Sequence, residues 1–99
     1  MDDIELLKDI HILYVEDDDL IRVSIVRFLK RRCKAVYDAP NGKEGLELYK
    51  KQSKIHIVIT DIEMPVMNGL AMIDKVLSIC SSQPIIITTG YNDEPIFLL

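Results

Sequence analysis

The sequence predicts an α/β fold, a doubly wound parallel sheet with helices on both faces, and three observations carry that reading. Short apolar runs alternate with amphipathic stretches from one end of the chain to the other, the order that builds parallel strands joined by right-handed helical crossovers. One run, Ile55 to Thr60, is apolar at nearly every position, as suits a central strand covered on both faces. Two runs end in acid: Glu16 and Asp17 close HILYV, and Asp61 closes IHIVIT. If these strands are parallel neighbours, their carboxylates meet at one edge. Ligands of open α/β sheets sit at that carboxyl edge, beside the point where strand order reverses.

Residues 11–15 form the first apolar strand. A helix follows from about Asp18 or Asp19 to Arg32, with Ile21, Ile25, Val26, Phe28 and Leu29 at helical spacing and Asp18 or Asp19 capping its first turn. A second strand covers about Ala35 to Tyr37, and Asn41 with Gly42 makes the turn into a helix over roughly 43–52, where Leu46 and Tyr49 give one apolar face. The third strand is Ile55 to Thr60. A loop holding Pro65 and Gly69 leads into a helix over about 69–80, with Leu70, Ile73, Val76, Leu77 and Cys80 as its buried stripe, until Gln83 and Pro84 break it. The fourth strand is Ile85 to Thr88 or Thr89, and Gly90 begins the next loop. From about Asp93 or Glu94 the residues look like the opening turn of a further helix. No repeat or linker interrupts the pattern, so residues 1–99 read as one domain.

Composition bounds the function. A chain of 99 residues is enough for one core and too short for two. With 48% apolar and 28% charged residues it is an ordinary globular chain. No apolar stretch approaches the roughly 20 residues of a membrane span, and the acidic opening MDDIELLKDI lacks the pattern of a signal peptide; a cytoplasmic location is the default. The net charge of −4 argues against broad nucleic-acid binding. Arg27, Lys30, Arg31, Arg32 and Lys34 cluster at the end of the first helix, where cations complement the helix dipole, and read as a solvated face. Cys33 and Cys80 lack CxxC spacing and a nearby His at metal-ligand spacing, which points to reduced thiols rather than zinc ligands or a disulfide.

The run EDDD at 16–19, taken alone, is what capping and dipole effects place at any helix start. Asp61 alone reads as a first turn residue. Their coincidence changes the weighting. Asp61 ends an apolar strand, precedes a Met64-Pro65 pair that keeps the backbone out of a helix, and is followed by the turn signal Asn68-Gly69. His11 and His56 stand at the other end of their strands and read as packing or edge residues, while Met64 and Met67 read as packing for the loop. A nucleotide or phosphate enzyme is the weak reading: there is no GxGxxG or Walker-type loop, and a DxDx pattern fails because Glu63 stands two residues after Asp61.

The stretch IVITDIEMPVMNG, with LYVEDD before it and IIITTGY after it, strongly resembles the receiver domain of two-component response regulators, a bacterial-type signalling module, in register from about residue 9 to residue 99. Its most specific part is Asp61 with Met64, Pro65, Met67, Asn68 and Gly69. The resemblance implies a flavodoxin-like sheet of order 2-1-3-4-5, and a signalling phosphoacceptor rather than an enzyme. It implies that Asp61 is the phosphoacceptor and Thr89 the switch hydroxyl, with Thr88 the competing candidate. It implies Mg²⁺ held by Asp17, Asp61 and the backbone carbonyl of Glu63, with a water-mediated contact from Glu16. The implied partners are a sensor histidine kinase or histidine phosphotransfer protein and an output domain or partner protein. Two departures stand out. Glu16 replaces the commoner Asp of the acidic pair, and no Lys follows Lys75, whereas the family carries an active-site Lys on a fifth strand. The expectation is therefore a domain incomplete at its C-terminus, without the last strand and helix, whose fourth strand is an open edge that a dimer or swapped assembly would cover. The alternative function is a receiver-like interaction module that does not signal by phosphorylation.

Overall fold

The computed structural model describes residues 6–88 and the backbone of residues 96–98. Within them run β1 (His11–Val15), α1 (Asp19–Lys30), β2 (Ala35–Ala39), α2 (Gly42–Lys51), β3 (Ile57–Asp61), α3 (Gly69–Ile79), β4 (Ile85–Thr88) and β5 (Ile96–Leu98). The sheet order is β2-β1-β3-β4-β5. The first four strands are parallel, with Ile12 beside Val36 and Ile57, and Ile59 beside Ile86. The chain moves outward from β1 to β2, then returns across β1 to β3. The crevice at that reversal lies between the carboxyl ends of β1 and β3, which carry Glu16 and Asp61.

Strand alternation divides the core into two layers. Leu13, Val15, Val58, Ile85 and Ile87 point to one face, where Leu46 and Tyr49 of α2 and Met72, Ile73 and Val76 of α3 bury them. Ile12 and Tyr14 point to the other and meet Val26 of α1, with Leu29, Val36, Ile57 and Ile59 around them. Gln83, expected only to end a helix, is a buried linker: the Tyr49 hydroxyl donates to its Oε1 at 2.7 Å, and its Nε2 donates to the carbonyls of Pro84 and His56. Helices α1, α2 and α3 each open on a side-chain cap, Asp18 accepting from Ile21 N as expected, and Asn41 from Glu44 N and Asn68 from Ala71 N at positions read from the sequence as turns. Such a cap is worth about 1 kcal/mol.

Several expectations are corrected. The third strand runs from Ile57 to Asp61 rather than Ile55 to Thr60. At its start, the His56 imidazole Nδ1 accepts the His11 amide at 2.8 Å and His56 N donates to the His11 carbonyl, so a side chain stands in for the first backbone rung. The two histidines thus close the end of the sheet remote from the acids. The first helix ends at Lys30, where the Arg32 and Cys33 amides turn back to the Leu29 carbonyl. Leu70 of the expected α3 stripe is exposed, and Met72, absent from that stripe, is fully buried.

The largest correction concerns the C-terminal segment. Residues 93–95, where a helix was expected to open, lie outside the described residues, but Ile96–Leu98 form a fifth strand antiparallel to β4, with Ile87 beside Ile96 and Ile85 beside Leu98. A helix confined to these few positions would pay nucleation for one turn of hydrogen bonds. The row of N–H and C=O groups along β4 offers the same backbone full pairing, and Ile-Phe-Leu suits a strand. The chain covers the edge of β4 itself, which removes the basis for a dimer through that edge.

Candidate functional site

Glu16 leaves β1 still attached to the sheet, its amide donating to the Ala39 carbonyl at 3.0 Å. Its side chain is buried, and Oε2 accepts the Asp18 amide at 3.0 Å. Arg22, one turn into α1, locks this segment: Nη1 donates to the Glu16 carbonyl at 2.7 Å, Nη2 to Asp19, and Nε lies 3.3 Å from Asp38 on β2. Across the reversal, Asp61 ends β3 beside Thr88 of β4. Its Oδ1 accepts the Ile62 amide at 2.7 Å, while the fully buried Thr60 donates its hydroxyl to the Asp61 carbonyl.

These two strand ends bring carboxylate oxygens of Glu16, Asp17 and Asp61 within 4.8 Å of one another. Glu16 is buried, Asp61 half-buried and Asp17 exposed, so the group opens to solvent on one side. Burial is the main cause that pushes the Glu16 carboxyl above its ordinary range; a hydrogen bond with Asp17 and the charges of Asp61 and Asp17 add to it, against the Asp18 amide. The neighbouring Tyr14 hydroxyl is pushed up to about 12, chiefly by burial and then by Glu16 and Asp61. Glu63 is exposed in the following loop, its carboxylate outside the cluster. Thr89 lies outside the described residues. Thr88, its competitor, is half-buried and directs its hydroxyl to the Thr60 carbonyl at 3.5 Å.

An all-oxygen donor set of three mutually repelling carboxylates fits a small hard dication such as Mg²⁺, which neutralises the repulsion and retains waters on its open side. Without a cation, Glu16 makes stability fall as pH rises. Its folded pKa exceeds its unfolded value, so the folded state binds the extra proton between the two, and that contribution is lost as pH climbs through the folded pKa. In chelator, Glu16→Gln is expected to flatten this decline above the ordinary carboxylate range, measured as melting temperature against pH for both chains. An identical slope in the two would show that Glu16 titrates normally.

The loop after Asp61 is shaped by features that the sequence reading missed. Val66 has φ 70, and the Met67 amide donates across it to the Pro65 carbonyl at 2.8 Å, a three-residue turn that a β-branched side chain resists. The strain costs about 1–3 kcal/mol. It is held by Met67, whose carbonyl accepts the Gly42 amide of α2 and whose side chain packs with Met64 on the core. Val66→Gly is expected to gain about 1 kcal/mol after the added chain entropy, raising the melting temperature by about 4–8 °C; a lower melting temperature would refute stored strain. Arg22 is the other omission. Helical periodicity shows only that it borders the apolar stripe, whereas its three acceptors come from separate segments.

Comparison with known proteins places this arrangement. The family profile described as response regulator receiver domain matches residues 12–98. A cyclic di-GMP phosphodiesterase of Thermotoga maritima is 29% identical over 85 residues, covering 86% of this chain and 22% of that protein. The transcriptional regulatory protein AfsQ1 of Streptomyces coelicolor is 30% identical over 83 residues, covering 84% of this chain and 36% of that protein. Among solved structures, the response regulator protein TrrA of Thermotoga maritima, in complex with Mg²⁺ and BeF, superposes with a TM-score of 0.75 at 30% identity, covering 84% of this chain and 71% of that one. This chain thus spans between about a fifth and a third of the length of these curated relatives. No helix among the described residues is long and apolar enough to cross a membrane.

Proposed function

The chain belongs to the response regulator receiver domain family, and from that premise we propose that it accepts a phosphoryl group on Asp61 from a phosphohistidine of a sensor histidine kinase or histidine phosphotransfer protein. The observation that carries the reading is the convergence of the Glu16, Asp17 and Asp61 carboxylates at the strand-order reversal. An Asp61 carboxylate oxygen attacks phosphorus, the phosphorus–nitrogen bond breaks, and the imidazole, protonated on its other ring nitrogen, leaves as the neutral donor side chain, giving an aspartyl phosphate. Asp17 and Asp61, with the Glu63 carbonyl and Glu16 through water, would hold Mg²⁺, which when bound offsets negative charge on the transferring group. Glu16 and Arg22 keep the acidic segment fixed against β2, while the Ile62 amide holds Asp61 Oδ1 at the end of β3. Thr89 would then donate to a phosphoryl oxygen and draw its loop inward, passing modification to an output domain or partner protein.

The alternative reading is a receiver fold that works through protein contacts alone. The intact mass of the chain, after incubation with Mg²⁺ and a small acyl phosphate, separates the two. Gain of one phosphoryl group supports the acceptor; an unchanged mass with Mg²⁺ still bound supports the interaction module.

A further inference from the structure

Asp17 is the exposed member of the acidic trio, and its place is set through its main chain. Arg22 donates to the carbonyls on both sides of it, Nη1 to that of Glu16 at 2.7 Å and the main-chain amide to that of Asp18 at 2.8 Å. The guanidinium is tied down in two further directions, Nη2 donating to Asp19 on α1 at 2.6 Å and Nε lying 3.3 Å from Asp38 on β2. The Arg22 side chain is only 15% exposed, so water competes little for these bonds. The Glu16 amide closes the frame by donating to the Ala39 carbonyl of β2 at 3.0 Å.

A frame of this stiffness bears on which cation the trio takes. Mg²⁺ demands octahedral oxygens at about 2.0–2.1 Å, whereas Ca²⁺ accepts a larger and looser shell at about 2.3–2.6 Å. A carboxylate whose backbone cannot recede suits the smaller shell, and one on a yielding backbone adapts to the larger. We propose that Arg22 is a positioning residue that makes the site prefer Mg²⁺ to Ca²⁺, by fixing the main chain on either side of Asp17. This rests on the reading of Glu16, Asp17 and Asp61 as a Mg²⁺ site. The charge of Arg22 does not account for such a preference: a guanidinium repels both dications alike, so its charge cancels in the ratio of the two affinities. Lysine keeps that charge, but its compact ammonium does not replace a planar fork whose three nitrogens each serve a different segment.

Titration of the isotope-labelled 99-residue chain with magnesium chloride and, separately, calcium chloride at constant ionic strength gives both affinities and the place of binding from its amide NMR spectrum. Arg22→Lys is expected to weaken Mg²⁺ binding about tenfold, the scale on which groups that orient a metal ligand act, and Ca²⁺ binding far less, so that the preference for Mg²⁺ falls about tenfold. Asp38→Asn leaves the bonds to the Glu16 and Asp18 carbonyls and removes the charge at one arm of the fork. It is expected to lower the preference in the same direction by about threefold, the scale of an exposed ion pair. The same spectra show whether each variant is folded. An unchanged preference in Asp38→Asn, or in a folded Arg22→Lys, overturns the proposal, as does tighter Mg²⁺ binding in Arg22→Lys. A chain without substitution that binds Mg²⁺ at the Asp17 and Ile62 amides with no preference over Ca²⁺ overturns this inference alone. If neither salt moves those amides, the reading of the site falls and the inference falls with it.

Discussion

Asp61→Asn is expected to leave the chain folded and wholly unable to gain a phosphoryl group. Asparagine preserves the shape, and its side-chain oxygen still accepts the Ile62 amide that Asp61 Oδ1 holds at 2.7 Å, so the loop leaves β3 as before. What disappears is the anionic oxygen that attacks phosphorus, and an amide has no comparable nucleophile. The substitution also removes one of three carboxylates crowded within 4.8 Å. The melting temperature in chelator should therefore hold or rise, as repulsion on Glu16 and Asp17 falls, while stabilisation by Mg²⁺ shrinks. Intact mass and melting with and without Mg²⁺ read both effects in one preparation. Undiminished phosphoryl gain in the variant would move the acceptor to another side chain, such as Asp17 of the same cluster.

Gly69→Ala is expected to be the most damaging single-methyl change near the site. A Cβ at Gly69 would fall on the carbonyl oxygen of Asp61, and the next atoms in its way are the Asp61 carbonyl carbon and the Ile62 Cα. All of these are backbone and cannot turn aside. The Gly69 amide is meanwhile bound to the Ile62 carbonyl at 2.7 Å, and Asn68 caps the helix from the preceding position, so α3 cannot drift off without losing both. Overpacking of this kind costs about 2–4 kcal/mol, a fall of about 10–25 °C in melting temperature for a chain of this size. Because the atom displaced belongs to Asp61, Mg²⁺ affinity should fall about tenfold as well. Gly45→Ala is the matched control: its Cβ would meet the Val15 and Met72 side chains, and a thioether can shift. Equal losses at the two positions would show that ordinary crowding, rather than contact with the Asp61 backbone, sets the cost.

Much of this was legible in the sequence because local rules and global fold agree. A capping acid announced the start of α1 and Asn-Gly turns the starts of α2 and α3, apolar runs announced β1, β3 and β4, and acids closing two of those runs announced the edge at which the site forms. The Asn68-Gly69 pair read as a turn, although only the structure shows that its glycine is required by close approach to Asp61. Other features depend on partners distant in sequence. Periodicity grouped Ile21, Ile25 and Phe28 with Val26, yet helix phase alone does not say how much of an apolar arc the neighbours cover. The strand at Ile96–Leu98 was misread because its conformation is decided by the open edge of β4 rather than by its own residues. Val66 was invisible for the opposite reason: its backbone contradicts its own preference.

The three caps share a further consequence. Since the first four strands are parallel and each helix begins where a strand has just ended, the openings of α1, α2 and α3, at Asp18, Asn41 and Asn68, gather at the acidic edge. Each opening carries the positive end of a peptide dipole, about half an elementary charge. The anionic edge therefore sits in a standing field of opposite sign that is woven from backbone alone. A chelator cannot strip that field, pH cannot titrate it, and no side-chain replacement erases it while the helices stand.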